Sequence, residues 1–355
     1  MAKIFLLFIP LSLALRYIFQ AGSTWVFLAS ILAIVPLSIW IQRSTEQIAS
    51  RTGSSIGGLL NVTFGNATEL ILALFVLASG SAAVVKGQIT GSIIGNSLLG
   101  LGLVILVATW GKQQLKFDRN RAGLLTSLLI LVVIGLLLPA LFNYTERSMV
   151  SPSTTGLLDE DLSLGVSIVL ILLYIANLIY TLYTHRDIFE IEDVETNEPN
   201  WPLWQAIAVL TAATLLTALE AELVSGALET TAVQIGVSTY FLGVIVLAVV
   251  GNAAEYVSAI IFAKKGQMNM AMSITVGSSI QVGLFVAPIL VLVSYLIGHP
   301  MNLVFNNPLE MISIAAVAFA VNAIAHDGET TWFEGALLLG IYLMLGIAFF
   351  FVTPG

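Results

Sequence analysis

The stretch 61-NVTFGNATEL-70 decides how this chain is read. It places Gly65, Asn66 and Glu69 inside a run that is otherwise almost entirely apolar, and 247-LAVVGNAAEY-256 sets the same Gly-Asn-Ala-x-Glu in a second apolar run. A lone carboxyl in an apolar helix is ordinarily a buried hydrogen bonder. Two of them at duplicated positions, each three residues after an Asn, call for a joint explanation.

The surroundings supply the class. The chain has 355 residues, 58% hydrophobic and 10% charged, where a soluble domain carries about 25% charged residues. This is the composition of an all-α polytopic membrane protein embedded in a lipid bilayer. The formal charge of -8 gives no basic surface on which to hold nucleic acid. With no cysteine there are no thiolate ligands or Cys nucleophiles, and three histidines make a zinc-type ligand set improbable. The apolar start lacks a convincing cleavage site and reads as a first transmembrane helix.

Spans of roughly 20 residues fall at 4–18, 24–41, 57–80, 88–109, 122–143, 162–183, 203–225, 237–263, 270–296, 308–325 and 331–352, eleven in all. The runs are too long and too continuously apolar for a β-barrel. Ten basic residues (Lys3, Arg43, Arg51, Lys112, Lys116, Arg119, Arg121, Arg186, Lys264 and Lys265) fall on one side, against Arg16, Lys86 and Arg147 on the other. The richer side is therefore expected to be cytoplasmic, with the N-terminus inside and the C-terminus outside.

The motifs stand in spans three and eight, and an odd repeat length of five inverts the second copy relative to the first. The expected organisation is an extra helix within 1–20, a five-helix repeat over 24–183, an acidic cytoplasmic linker over 184–202 and a second five-helix repeat over 203–355. Two short turns, 86-KGQ-88 and 265-KGQ-267, are expected to follow the motifs, and then two small-residue helices, 91-GSIIGNSLLGLGL-103 and 273-SITVGSSIQVGLF-285. Gln88 and Gln267 are expected at those turns, and Glu222 and Glu229 around the outer end of span seven. Glu310 and Glu334 are expected near span ends.

Chemically, Glu69 and Glu255 with Asn66 and Asn252 offer an oxygen-only ligand set. Asn96, Ser279 and Gln281 from the small-residue helices complete the candidate cation ligands, with Ser92 and Ser278 beside them. Glycines such as Gly91, Gly95, Gly277 and Gly283 read as helix-packing positions. Oxygen donors in irregular geometry suit Ca²⁺ better than Mg²⁺, and Cu or Zn would recruit His or Cys. Two bare carboxylates in low dielectric are expensive, so in the absence of a cation they take up protons. Competition between Ca²⁺ and protons for one site is the core of an exchange cycle. No cofactor and no obligate protein partner is called for.

The stretches 57-GGLLNVTFGNATEL-70, 251-GNAAEYVSAIIFAKKGQ-267 and 277-GSSIQVGLFVAPILVL-292 resemble the cation/proton exchanger family of the Ca²⁺/cation antiporter superfamily. The resemblance covers nearly the whole chain. It implies Ca²⁺ export driven by inward proton flow, with Glu69 and Glu255 as shared ion and proton sites. The Ser-Leu-Pro that tends to precede the Glu of the sodium/calcium exchanger branch is missing. Tyr256 stands where family members often carry a longer acidic segment or a histidine after the second Glu. Rival readings are a Na⁺/Ca²⁺ or broader divalent exchanger for Mn²⁺ or Cd²⁺, a cation channel, and an intramembrane enzyme for which no nucleophile is in sight. Short loops and the absence of a long tail point to a cell membrane, with a vacuolar membrane as the eukaryotic equivalent.

Overall fold

The computed structural model describes residues 5–52, 54–146, 152–184, 201–305 and 307–352. The expected linker at 184–202 lies almost wholly outside them. Among the described residues nine helices are long and apolar enough to cross a membrane: α2 (Ser23–Ala49), α3 (Gly57–Ala78), α4 (Ala82–Thr109), α5 (Arg119–Thr145), α6 (Gly156–Thr184), α7 (Leu203–Ile235), α9 (Met268–Leu296), α10 (Pro308–Ala325) and α11 (Trp332–Phe350). The pair Thr239–Gly251 and Ala253–Lys264, bent by 51°, is labelled α8 and makes a tenth crossing if its two halves form one span. The remaining apolar helix, α1 (Phe8–Ile18), is shorter. The chain is a multi-pass, all-α membrane protein.

Helix ends follow from local chemistry. Gly236, at φ 73, stops α7 in the left-handed conformation that glycine adopts without strain. The helix therefore runs ten residues beyond the expected end at 225, and Glu222 and Glu229 lie within it rather than at its outer end. Asn307 caps α10, and Thr331 with Glu334 forms a capping box on α11. Glu334 is thus a helix-end residue, as expected. Glu310 is one too, standing in the first turn of α10, but it is buried there at 3% exposure and accepts a hydrogen bond from Thr90 Oγ1 of α4 at 3.4 Å.

The expected turn at 86-KGQ-88 is also absent, since all three residues lie inside α4. A reversal there needs a residue at positive φ, and the glycines that supply one are Gly80 (φ 84) and Gly266 (φ 79). Both intervals, Glu69 to Glu255 and Gly80 to Gly266, are 186 residues. The likeness of the two KGQ triplets misplaced the first turn by one helical segment.

Two helices form the frame and two form the centre. α2 and α7 run antiparallel, joined at one end by Thr24 Oγ1 donating to Gln234 Oε1 (2.5 Å) and at the other by Trp201 N donating to Gln47 Oε1 (3.1 Å). Trp40 stacks on Trp201 with centroids 5.6 Å apart. The centre is α4 and α9, whose apolar windows are 78% and 67% buried against 22% for α6 and α11. Both carry a π-helical stretch, Gly95–Gly100 and Val282–Val286, a feature frequent at functional sites. A two-residue ladder pairs β1 (Leu115–Lys116) with β2 (Glu329–Thr330) in antiparallel register, tying the loop after α4 to the loop after α10.

Candidate cation site

The two motif helices break at the same residue type. Asn66 has φ -92 and ψ 12, and Asn252 has φ -93 and ψ 11, each ending one helical half and beginning the next. Neither Asn is helical, so the three-residue spacing from Asn to Glu does not place the two side chains on one helix face. Each stands at the N-cap without using its side chain as a cap, which frees both amides to reach across the molecule. Glu69 and Glu255 fall in the first turn of the second halves, where the helix N-terminus favours negative charge.

The amides knit the motifs together. Asn252 Nδ2 donates to Glu69 Oε1 (2.5 Å), which also accepts from Ser92 Oγ (2.5 Å). Asn96 Nδ2 donates to Asn252 Oδ1 (2.6 Å) and to Ser278 Oγ (2.9 Å), and Asn66 Nδ2 donates to Gln281 Oε1 (2.5 Å). Ser278 Oγ donates to Asn66 Oδ1 at 3.4 Å. Gln88, far from being a turn residue, is buried and donates from Nε2 to the Glu69 carbonyl at 3.1 Å. Glu255 lies close enough to Glu69 for the two carboxyls to interact electrostatically.

Six of the seven expected ligands therefore converge: Glu69, Glu255, Asn66, Asn252, Asn96 and Gln281. Ser279 faces elsewhere, sharing a hydrogen bond with Ser97 at 2.8 Å, while Ser92 and Ser278 occupy the site. The 186-residue interval that pairs the glutamates also pairs Gly91-Ser92 with Gly277-Ser278, and that was the signal for preferring Ser278.

What the cluster lacks is hydrogen. Glu69 Oε2, Glu255 Oε2, Asn96 Oδ1 and Gln88 Oε1 are buried with no hydrogen-bond partner, although buried polar atoms are nearly always satisfied. All four are oxygen acceptors. Among the described residues no three His, Cys, Asp or Glu side chains come together to hold a metal, so the formal charge available here is that of two carboxylates. Beside Glu69, Gln88 and Ser92 is a cavity of about 10 Å³ for a water centre, walled by Ala73, Ile89, Val282, Val286 and Leu290. That is on the order of one water molecule.

The sodium/calcium exchanger protein family matches residues 22–183 and 205–351. A Ca(2+)/H(+) antiporter from Aphanothece halophytica is 38% identical, over 98% of this chain and 95% of its own. The chain belongs to the Ca²⁺/H⁺ antiporter branch of that family. The Ca(2+)/H(+) antiporter ChaA of Bacillus subtilis is 37% identical over 92% of each chain. The solved structure of native YfkE superposes with a TM-score of 0.85 at 34% identity, covering 99% of this chain and all of that one.

Within this family member the two halves pack unequally around the site. The first half of α8 presses on α4: a Cβ on Gly91 would stand 1.9 Å from the Val244 carbonyl oxygen, and one on Gly243 would stand 2.5 Å from that of Val84. The packing expected of Gly91 is present. Gly277, its counterpart on α9, has nothing described within 4 Å, while Gly57 is pressed against Ala49 instead. Gly283 is packed against Val132. Gly95 and Gly100 both lie under the Tyr256 ring, with a Gly95 Cβ position 2.6 Å from the hydroxyl. Composition gave no hint that Tyr256 would cover the π-helical turn bearing Asn96.

Proposed function

We propose that this chain is a Ca²⁺/H⁺ antiporter exporting cytoplasmic Ca²⁺ in exchange for protons, with Glu69 and Glu255 as the shared carboxylates. One observation carries the reading: four buried oxygens, two of them from carboxylates of different motifs, have no donor. A hard divalent cation satisfies such oxygens by coordination, and protons satisfy the carboxylates when the cation leaves. Two carboxylates balance one Ca²⁺. The narrow cavity favours an ion stripped of most of its water. Asn66, Asn252, Asn96 and Gln281 supply further oxygens or orient the carboxylates, and the names of the relatives agree with this assignment.

Eleven crossings, arranged as one extra helix and two inverted repeats of five, fit the same reading. Support comes from the constant 186-residue spacing of breaks and turns, and from loops that meet only where this topology puts them on one side. The β1–β2 ladder joins two loops of the basic-rich side. Lys86 Nζ, at the opposite side, donates to Asn302 Oδ1 (2.6 Å) and the Val304 carbonyl (2.7 Å). With the N-terminus cytoplasmic, the tight α4–α8 contact lies outside and the loose α9 face inside.

The test is Ca²⁺ uptake into inverted membrane vesicles. Uptake is expected to need an imposed proton gradient and to stop on adding a protonophore. Uptake that persists with a Na⁺ gradient alone would replace this reading with Na⁺/Ca²⁺ exchange.

A further inference from the structure

A third carboxyl is buried away from the ion site. Glu220 lies near the middle of α7 and is 1% exposed. Ser12 Oγ of α1 shares its proton between this carboxyl's Oε1 at 2.7 Å, bridging 208 residues of chain, and the Ile9 carbonyl at 2.8 Å. Its other oxygen, Oε2, has no hydrogen-bond partner. Ser30 of α2 faces the same carboxyl, and its buried hydroxyl is also without a partner.

Among the described residues no countercharge stands nearby. On α1 the basic group is Arg16, one turn beyond Ser12 and exposed like its neighbour Tyr17. α2 has no titratable side chain from Ser23 to Gln42, and its Arg43 and Glu46 lie toward the far end. The second half of α3 contributes Glu69, which turns toward Ser92 and Asn252. α7 itself carries Glu222 and Glu229, both exposed. Among the described residues Glu220 forms no ion pair. An ionised carboxylate with one unsatisfied oxygen is strongly disfavoured in such a place.

We propose that Glu220 is a proton-binding site distinct from the Glu69–Glu255 site. The neutral acid carries its proton on Oε2 and donates it to Ser30 Oγ, while Oε1 accepts from Ser12. One bound proton thereby completes both unpartnered atoms and fastens α1 to the α2–α7 pair. The residues involved are independent of those assigned to Ca²⁺ exchange.

Infrared spectroscopy of the purified full chain near neutral pH tests this, in a Glu69→Gln, Glu255→Gln background that removes the ion-site carboxyls. A carboxylic-acid C=O band is expected that vanishes on adding Glu220→Gln. It should move to higher frequency with Ser30→Ala or Ser12→Ala, because each deletes one hydrogen bond to the acid. A spectrum unchanged by all three substitutions overturns the proposal, and the serine variants keep it testable if Glu220→Gln does not fold. In the otherwise unaltered protein, Glu220→Gln should exchange Ca²⁺ at the parental rate, since the amide can donate to Ser30 and accept from Ser12. Loss of exchange in a folded Glu220→Gln protein overturns its separation from the ion site.

Discussion

Asn252 Nδ2 donates to Glu69 Oε1 at 2.5 Å, so the residue that breaks one motif helix holds the carboxylate of the other across 183 residues of chain. The same amide contacts Ser92 Oγ at 3.0 Å, and its oxygen accepts from Asn96. Asn252→Ala should leave Glu69 in place but unoriented. Outer partners of metal ligands are worth about 10–100-fold in affinity, and a loss of that size in the apparent affinity for Ca²⁺ is expected. Ca²⁺-dependent uptake curves in vesicles measure it, and an unaltered half-saturation point would remove Asn252 from the site.

Glu69→Gln and Glu255→Gln should each reduce Ca²⁺ exchange to background while the protein still folds, since each leaves a single carboxylate against a divalent charge. Size-exclusion profiles separate loss of function from loss of fold. Parental exchange in either variant would end the shared-site reading.

Competition fixes the sign of the pH dependence. If protons and Ca²⁺ occupy the same carboxylates, acidifying the face that binds Ca²⁺ must weaken its apparent affinity, and raising the pH must strengthen it until both carboxylates are free. Uptake measured at several external pH values, with the gradient clamped, should show half-saturation rising as pH falls. An affinity independent of pH would place the proton elsewhere.

Unequal packing predicts unequal tolerance. Gly91→Ala drives a methyl into the Val244 carbonyl and should destabilise the protein by about 1–3 kcal/mol, the usual range for overpacking, whereas Gly277→Ala meets nothing described within 4 Å and should be silent. Thermal unfolding in detergent compares them. The chain has no cysteine, so Gly277→Cys and Gly91→Cys can be probed singly with a membrane-impermeant thiol reagent. Labelling of the first alone, from the cytoplasmic side, is expected.

Tyr256 and Gly95 form a testable pair. Gly95→Ala places its methyl against the Tyr256 hydroxyl, so it should impair exchange by displacing the Asn96 turn, and Tyr256→Phe should restore part of the loss. A double-mutant cycle reads this coupling. Additive effects would mean that the ring does not position the turn.

The sequence alone was enough for the membrane class, the approximate span positions and the pairing of Glu69 with Glu255, because hydropathy and a duplicated motif are local, countable properties. It also led to six residues that meet at the site. It failed where the outcome depended on φ or on a distant partner. The two KGQ triplets look alike, yet Gly80 rather than Gly87 makes the turn, since only the left-handed conformation reverses the chain there. Glu310 stands in the first turn of α10 as expected, yet its burial against Thr90, like that of Glu220 against Ser12, depends on segments remote in the chain. Ser278 took the place expected of Ser279 because helix rotation, set by packing of α9 against α4, decides which of two adjacent hydroxyls meets the amides of Asn66 and Asn96. Composition and spacing determined which groups enter the membrane; only the tertiary packing decided which atoms lack a partner, and those atoms mark the candidate site.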